Sequence, residues 1–285
     1  MHPALAALFV GAACIAASPI FVRLSEAGPT ASAFWRVALA VPPLWVMYAL
    51  RPRPRAGRYS ARWPLLFAAG FAFAGDLGFW HASLQLTSVA NSTLLSNLSA
   101  IFVTLAAWLF LRERPGSVFF AGLAAALIGV GLLVHAGLGF SRTGLLGDAL
   151  GVVTAMFYAV YLLAVKGLRD RGETTLHLMA MTSTISALFL LPAALASGDQ
   201  MLPASAHGWA ILIGLALVSH AAGQGLIAYA LAHLPAAFSS VSLLLQPVLA
   251  ALFAWVLLSE SLVPLQIVGA LVVLLGIYMA RRGSA

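Results

Sequence analysis

Residues 82–115 read ASLQLTSVANSTLLSNLSAIFVTLAAWLFLRERP and run on to Gly131 as an apolar stretch spaced by glycines. The stretch occurs twice. Moved by 147 positions, Ala90 falls on Ala237, Ser92 on Ser239, Trp108 on Trp255, Glu113 on Glu260, Gly122 on Gly269 and Gly129 on Gly276, with no gap. Self-similarity of that length marks a duplicated module.

The composition says where the module lives. With 62% hydrophobic and 8% charged residues and a mean hydropathy of +1.00, the chain lacks the charge that covers a water-facing surface, roughly 25% in soluble domains. It reads as an all-α integral membrane protein. A helix needs about 20 apolar residues to cross the hydrocarbon, and ten such spans fit. They are expected near 4–24, 30–50, 63–84, 88–111, 116–136, 148–168, 175–197, 207–232, 236–258 and 263–280.

The net charge of +7 would point to nucleic acid in a soluble protein; here the basic residues stand at span ends and report topology. Residues 51–62, 112–115 and 166–173, with Arg281 and Arg282, hold twelve of the fifteen Lys/Arg on one face. That places these loops and both termini in the cytoplasm of a bacterial inner membrane protein. Five spans per half is odd, so the second half enters from the opposite side. The basic residues follow: Arg112-Glu113-Arg114 becomes Ser259-Glu260-Ser261. The expected domains are residues 1–140 and 141–285, two inverted five-helix repeats joined by a Gly-rich link, an arrangement frequent among secondary transporters. The start, Met1-His2-Pro3, has no basic leader, so 4–24 reads as a span and not as a signal peptide. The single cysteine, Cys14, excludes a disulfide framework or Cys-based metal cluster.

Ser18-Pro-Ile-Phe-Val-Arg23, Pro29 with Phe34-Trp35-Arg36, the hairpin Ala82–Pro115 and its echo Pro235–Glu260 together resemble the drug/metabolite transporter superfamily, in its ten-span branch of paired EamA-type modules. Pro19 and the lost basic pair around Glu260 depart from that pattern. The resemblance implies a secondary transporter of a small molecule. Members export amino acids and metabolites or move nucleotide sugars and cationic drugs.

No phosphate loop, H-E-x-x-H or G-x-S-x-G appears, so no enzyme activity, cofactor or metal is expected. Candidate site residues are polar or aromatic groups inside spans, because buried charge in a membrane faces a cavity or a partner. They are Asp76 with Trp80 one turn on, and His81, in the third span; Asn97 in the fourth; Tyr158 in the sixth; His220 and Gln224 in the eighth; Ser242 and Gln246 in the ninth. The carboxamides offer both donor and acceptor. Arg36 and Arg23 are expected to snorkel to the outer interface, with Glu26 as a partner. Gly122 and Gly129, with Gly269 and Gly276, repeat every seven residues and predict close packing of spans five and ten. Little fixed charge near the midplane favours a neutral or zwitterionic substrate. Trp80 and Tyr158 favour an aromatic amino acid, with efflux of organic cations against Asp76 as the alternative and a non-transporting scaffold as the remaining class. Partners are the bilayer and the small molecule, with no nucleic acid; the sequence is compatible with a monomer and leaves the oligomeric state open.

Overall fold

The computed structural model describes residues 3–51, 62–135, 144–259 and 262–284. Residues 137–143 of the Gly-rich link, the boundary at 140/141 and Glu260 lie outside these residues. Among the described residues there is no strand. The elements are α1 (Pro3–Ala16), α2 (Ser18–Leu24), α3 (Pro29–Ala38), α4 (Val41–Ala49), α5 (Trp63–Leu86), α6 (Val89–Ser96), α7 (Ser99–Phe110), α8 (Ser117–Val134), α9 (Leu145–Asp170), α10 (Thr175–Ala196), α11 (Ala206–Gly214), a π-helical segment Leu215–Gln224, α12 (Gly225–Ala230), α13 (Ala236–Ser242), α14 (Leu245–Leu258) and α15 (Pro264–Gly283). They form a multi-pass membrane bundle. Leu109, Leu188, Leu257 and Leu271 are each more than 60% exposed, a belt that only lipid covers at no cost.

Among the described residues, nine runs of 18 to 26 residues are long and apolar enough to cross a bilayer. The expected second span is not one helix. It is α3 and α4, of 10 and 9 residues, because Pro42 and Pro43 bring no N–H to the carbonyls of Ala38 and Leu39. End to end the two have about the length a crossing needs. Pro19 divides the first span into α1 and α2 in the same way.

The fourth and ninth spans are interrupted at their middles, at nearly equivalent positions of the two repeats. Leu98, Ala100 and Ile101 donate to carbonyls three residues back, as do Leu244 and Gln246, so both spans tighten into a 3₁₀ turn. The causes differ. In the ninth span Pro247 has no N–H for Leu243; in the fourth, the Asn97 side chain (2.7 Å) and the Ser96 hydroxyl (3.0 Å) both bond the Thr93 carbonyl. Both spans then end in a left-handed residue, Arg112 at φ 58° and Ser259 at φ 57°, the two non-glycine positions with positive φ among the described residues. They are repeat equivalents, so the duplication extends to backbone conformation.

Helices α8 and α15 pack antiparallel through their glycines, as expected. A Cβ on Gly122 would lie 2.6 Å from the Gly276 oxygen, and one on Gly129 2.7 Å from that of Gly269. Exchanging each residue for its repeat partner turns one contact into the other, which is the signature of two inverted copies. Gly11 and Gly223 let α1 lie antiparallel against the π segment and α12, which puts Pro3 at the same end as Ala236. Gly116 N–H bonds Gly283 O at 3.0 Å, so the C-terminus is at that end too.

Acidic side chains tie each end of the bundle. At the end with the termini, Glu113 accepts from Ala236 N–H (2.7 Å) and Ala237 N–H (3.0 Å), capping α13 across the repeats. There also Glu173 pairs with Arg62 (3.2 Å) and His177 (2.8 Å). Burial pushes the Glu173 carboxyl up, but the bonds from His177, Arg62 and Thr174 N–H outweigh it and hold it below the usual range. At the far end Asp199 caps α3 through Thr30 N–H (2.7 Å), and Asp148 accepts from Thr87 (2.6 Å) and Asn91 (3.1 Å). Glu26 accepts from Ser205 Oγ and from Ala204 N–H (2.8 Å), and these bonds lower its pKa. Glu26 therefore meets the α11 N-terminus and not Arg36.

Candidate functional site

Between the two halves lies a cavity open at its mouth. Its wall comes from both repeats. Spans one to four give Ser18, Pro19, Arg36, Phe73, Asp76, Trp80, Thr93 and Asn97; spans six, eight and nine give Thr154, Tyr158, Gln224, Ser240 and Gln246. Helices α8 and α15 give none. Counted along the helices, most of this lining belongs to the middle of the bundle and the half away from the termini. Gln224 and Ser240 lie deepest toward the end with the termini.

Six of the nine candidate residues meet at this wall: Asp76, Trp80, Asn97, Tyr158, Gln224 and Gln246. The Tyr158 ring stacks on that of Tyr161 at 5.9 Å. The helix breaks set the rotation of the wall, because each 3₁₀ turn displaces the residues after it from the regular 100° step.

The other three candidates do not line the cavity. His81 lies five positions past Asp76, about 140° further round the helix; its Nδ1 meets Leu77 O at 2.7 Å and the ring stands edge-on to Trp80. His220 is one layer behind the wall, paired with Ser183 Oγ at 2.8 Å and stacked on the back of Phe73. Ser242 donates to Phe238 O at 2.9 Å and is fully buried, while Ser240 occupies the wall.

Sequence reasoning misplaced Arg36. It does not snorkel: it is 6% exposed and lines the cavity together with Asp76. Helix α3 buries Ser32, Ala33, Arg36 and Val37 on one face against α10 and the π segment. The i, i+3, i+4 spacing of small residues with this arginine was the signal that its face turns inward.

Polar atoms at the wall lack partners. Among the described residues, eight buried side-chain atoms have no hydrogen-bond partner, and five belong to this cavity: Ser18 Oγ, Arg36 Nε, Thr154 Oγ1, Gln224 Oε1 and Gln246 Nε2. Buried polar groups are ordinarily satisfied. Donors and an acceptor converging on one space are what a polar guest requires. An inverted-repeat helical bundle with a polar cavity between its halves, built on discontinuous helices, is an architecture that recurs among membrane transporters.

Comparison with known proteins agrees. The EamA-like transporter family matches residues 2–135 and again residues 145–282, and the chain belongs to that family: it is a membrane transporter and not an enzyme. It is 28% identical over 272 residues to an uncharacterized transporter of Archaeoglobus fulgidus, covering 93% of this chain and 92% of that one. It is also 28% identical over 261 residues to the threonine/homoserine exporter RhtA of Escherichia coli K12, covering 90% and 82%. A probable terminal-alkyne amino-acid exporter of Streptantibioticus cattleyicolor is 31% identical over 200 residues, 67% of this chain and 64% of that one. A solved structure, described only as the crystal structure of a protein, superimposes with a TM-score of 0.78 over 98% of each chain at 18% identity, a likeness of fold.

Proposed function

We propose that the protein exports neutral amino acids from the bacterial cytoplasm by alternating access. The observation that carries this is the cavity: partnerless polar atoms from both halves face a space flanked by Phe73, Trp80 and Tyr158. A zwitterionic head needs such atoms, and an aromatic side chain suits such walls. Relatives named as amino-acid exporters support the same class.

With the basic loops inside, both termini are cytoplasmic and the cavity faces outward. Rocking of one repeat against the other would close the far end and open the end now held by Glu113 and Glu173. Efflux of organic cations is the second reading, favoured by Asp76 at the wall.

The test is uptake of labelled amino acids and organic cations into vesicles of purified protein, with Gln246→Ala and Asp76→Ala beside the wild type. Amino-acid flux, aromatic residues fastest, reduced by both substitutions, is expected. Cation flux abolished by Asp76→Ala without amino-acid flux would reverse the two readings. No flux of any solute would refute transport.

A further inference from the structure

We infer that Arg36 and Asp76 together read the charged head of the substrate, Arg36 taking the α-carboxylate and Asp76 the α-ammonium; the assignment rests on the amino-acid reading above and names its determinant.

A guanidinium and a carboxyl group, side chains of opposite charge type, line one cavity inside an apolar bundle. Each alone is costly at the centre of a bilayer, so a helix bundle retains them for packing only if each neutralises the other. Packing would also satisfy them. Arg36 Nε instead has no acceptor, although the side chain is buried, and a guanidinium offers a planar fork of donors that matches a carboxylate. Gln246 Nε2 and Gln224 Oε1, also without partners, add a donor and an acceptor.

Net charge gives the selectivity. With Asp76 ionised the pair sums to zero, so a zwitterion enters without leaving unbalanced charge in a low dielectric. A lone amine would compete with Arg36 for Asp76, and a lone carboxylate with Asp76 for Arg36; either would leave one fixed charge uncompensated, which is costly in such a site. The pair thus separates amino acids from organic cations and from organic anions of the same shape. Because Arg36 comes from the second span and Asp76 from the third, head recognition belongs to the first repeat, while the carboxamides of the second repeat close over it.

Vesicles of the wild type, Arg36→Gln, Asp76→Asn and the double variant are assayed for uptake of two sets of compounds. One is L-phenylalanine with phenethylamine and 3-phenylpropionate; the other is L-threonine with 1-amino-2-propanol and 3-hydroxybutyrate. Each set removes first the carboxylate and then the ammonium. The wild type is expected to move at least one amino acid on the order of tenfold faster than its two analogues, the worth of one charged hydrogen bond. Each single variant should lose that flux by a similar factor, with Asp76→Asn gaining the carboxylate analogue and Arg36→Gln the amine. The double variant, checked for folding by thermal melting, should stay inert to amino acids. A purely structural ion pair predicts the reverse, and amino-acid flux kept by Asp76→Asn or restored in the double variant would overturn this assignment while leaving amino-acid export standing. A wild type that moves neither amino acid would overturn both.

Discussion

Single residues at the two bundle ends and at the cavity wall carry different burdens. Glu173 joins Arg62 and His177 where the third, sixth and seventh spans meet at the end with the termini. Its carboxyl is held below the ordinary value of 4.5, so its contribution is complete above pH 4.5 and is lost as pH falls through the lowered folded value. Glu173→Gln should lower stability at pH 7 by about 1–3 kcal/mol, at the lower end because water screens part of the cluster, and should lessen the fall in melting temperature on acidification. An unchanged acid limb would show that other carboxylates govern it. At the wall, Asp76 and Trp80 were legible because i, i+4 spacing puts both on one face. Arg36 was not, because polarity places a residue at a depth in the membrane and says nothing of the direction in which its helix face turns.

Helices show the same division. The seven-residue glycine spacing was readable because backbone approach in a membrane tolerates no side chain, and the contact it foretold is the seam of α8 on α15. Gly276→Val should disrupt that seam: even its Cβ would sit 2.5 Å from Ala126 N, and overpacking of this kind costs about 1–3 kcal/mol or more. A melting temperature within a degree of wild type would mean that the seam is loose. Helix interruptions were harder to read. Pro42-Pro43 and Pro247 announce theirs, but the break at Asn97 comes from side chains competing for the Thr93 carbonyl, and the π segment Leu215–Gln224 has no proline.

For the whole molecule, the central claim is that one cavity, walled by both repeats, holds an amino acid and faces outward in this conformation. The duplication was plain from the sequence because 147 residues separate equivalent positions without a gap; the state of the transporter was not, since a symmetric pair of repeats encodes both ends equally. Ser96 and Ala250 line the cavity from opposite halves. Intact cells expressing Ser96→Cys or Ala250→Cys in a Cys14→Ala background, treated with a charged thiol reagent that cannot cross the membrane, measure the claim directly. Both cysteines are expected to react from outside, and an excess of the transported amino acid is expected to slow both, while its carboxylate-only analogue does not. Cysteines that stay unreactive, or that react at the same rate with the amino acid present, would contradict it.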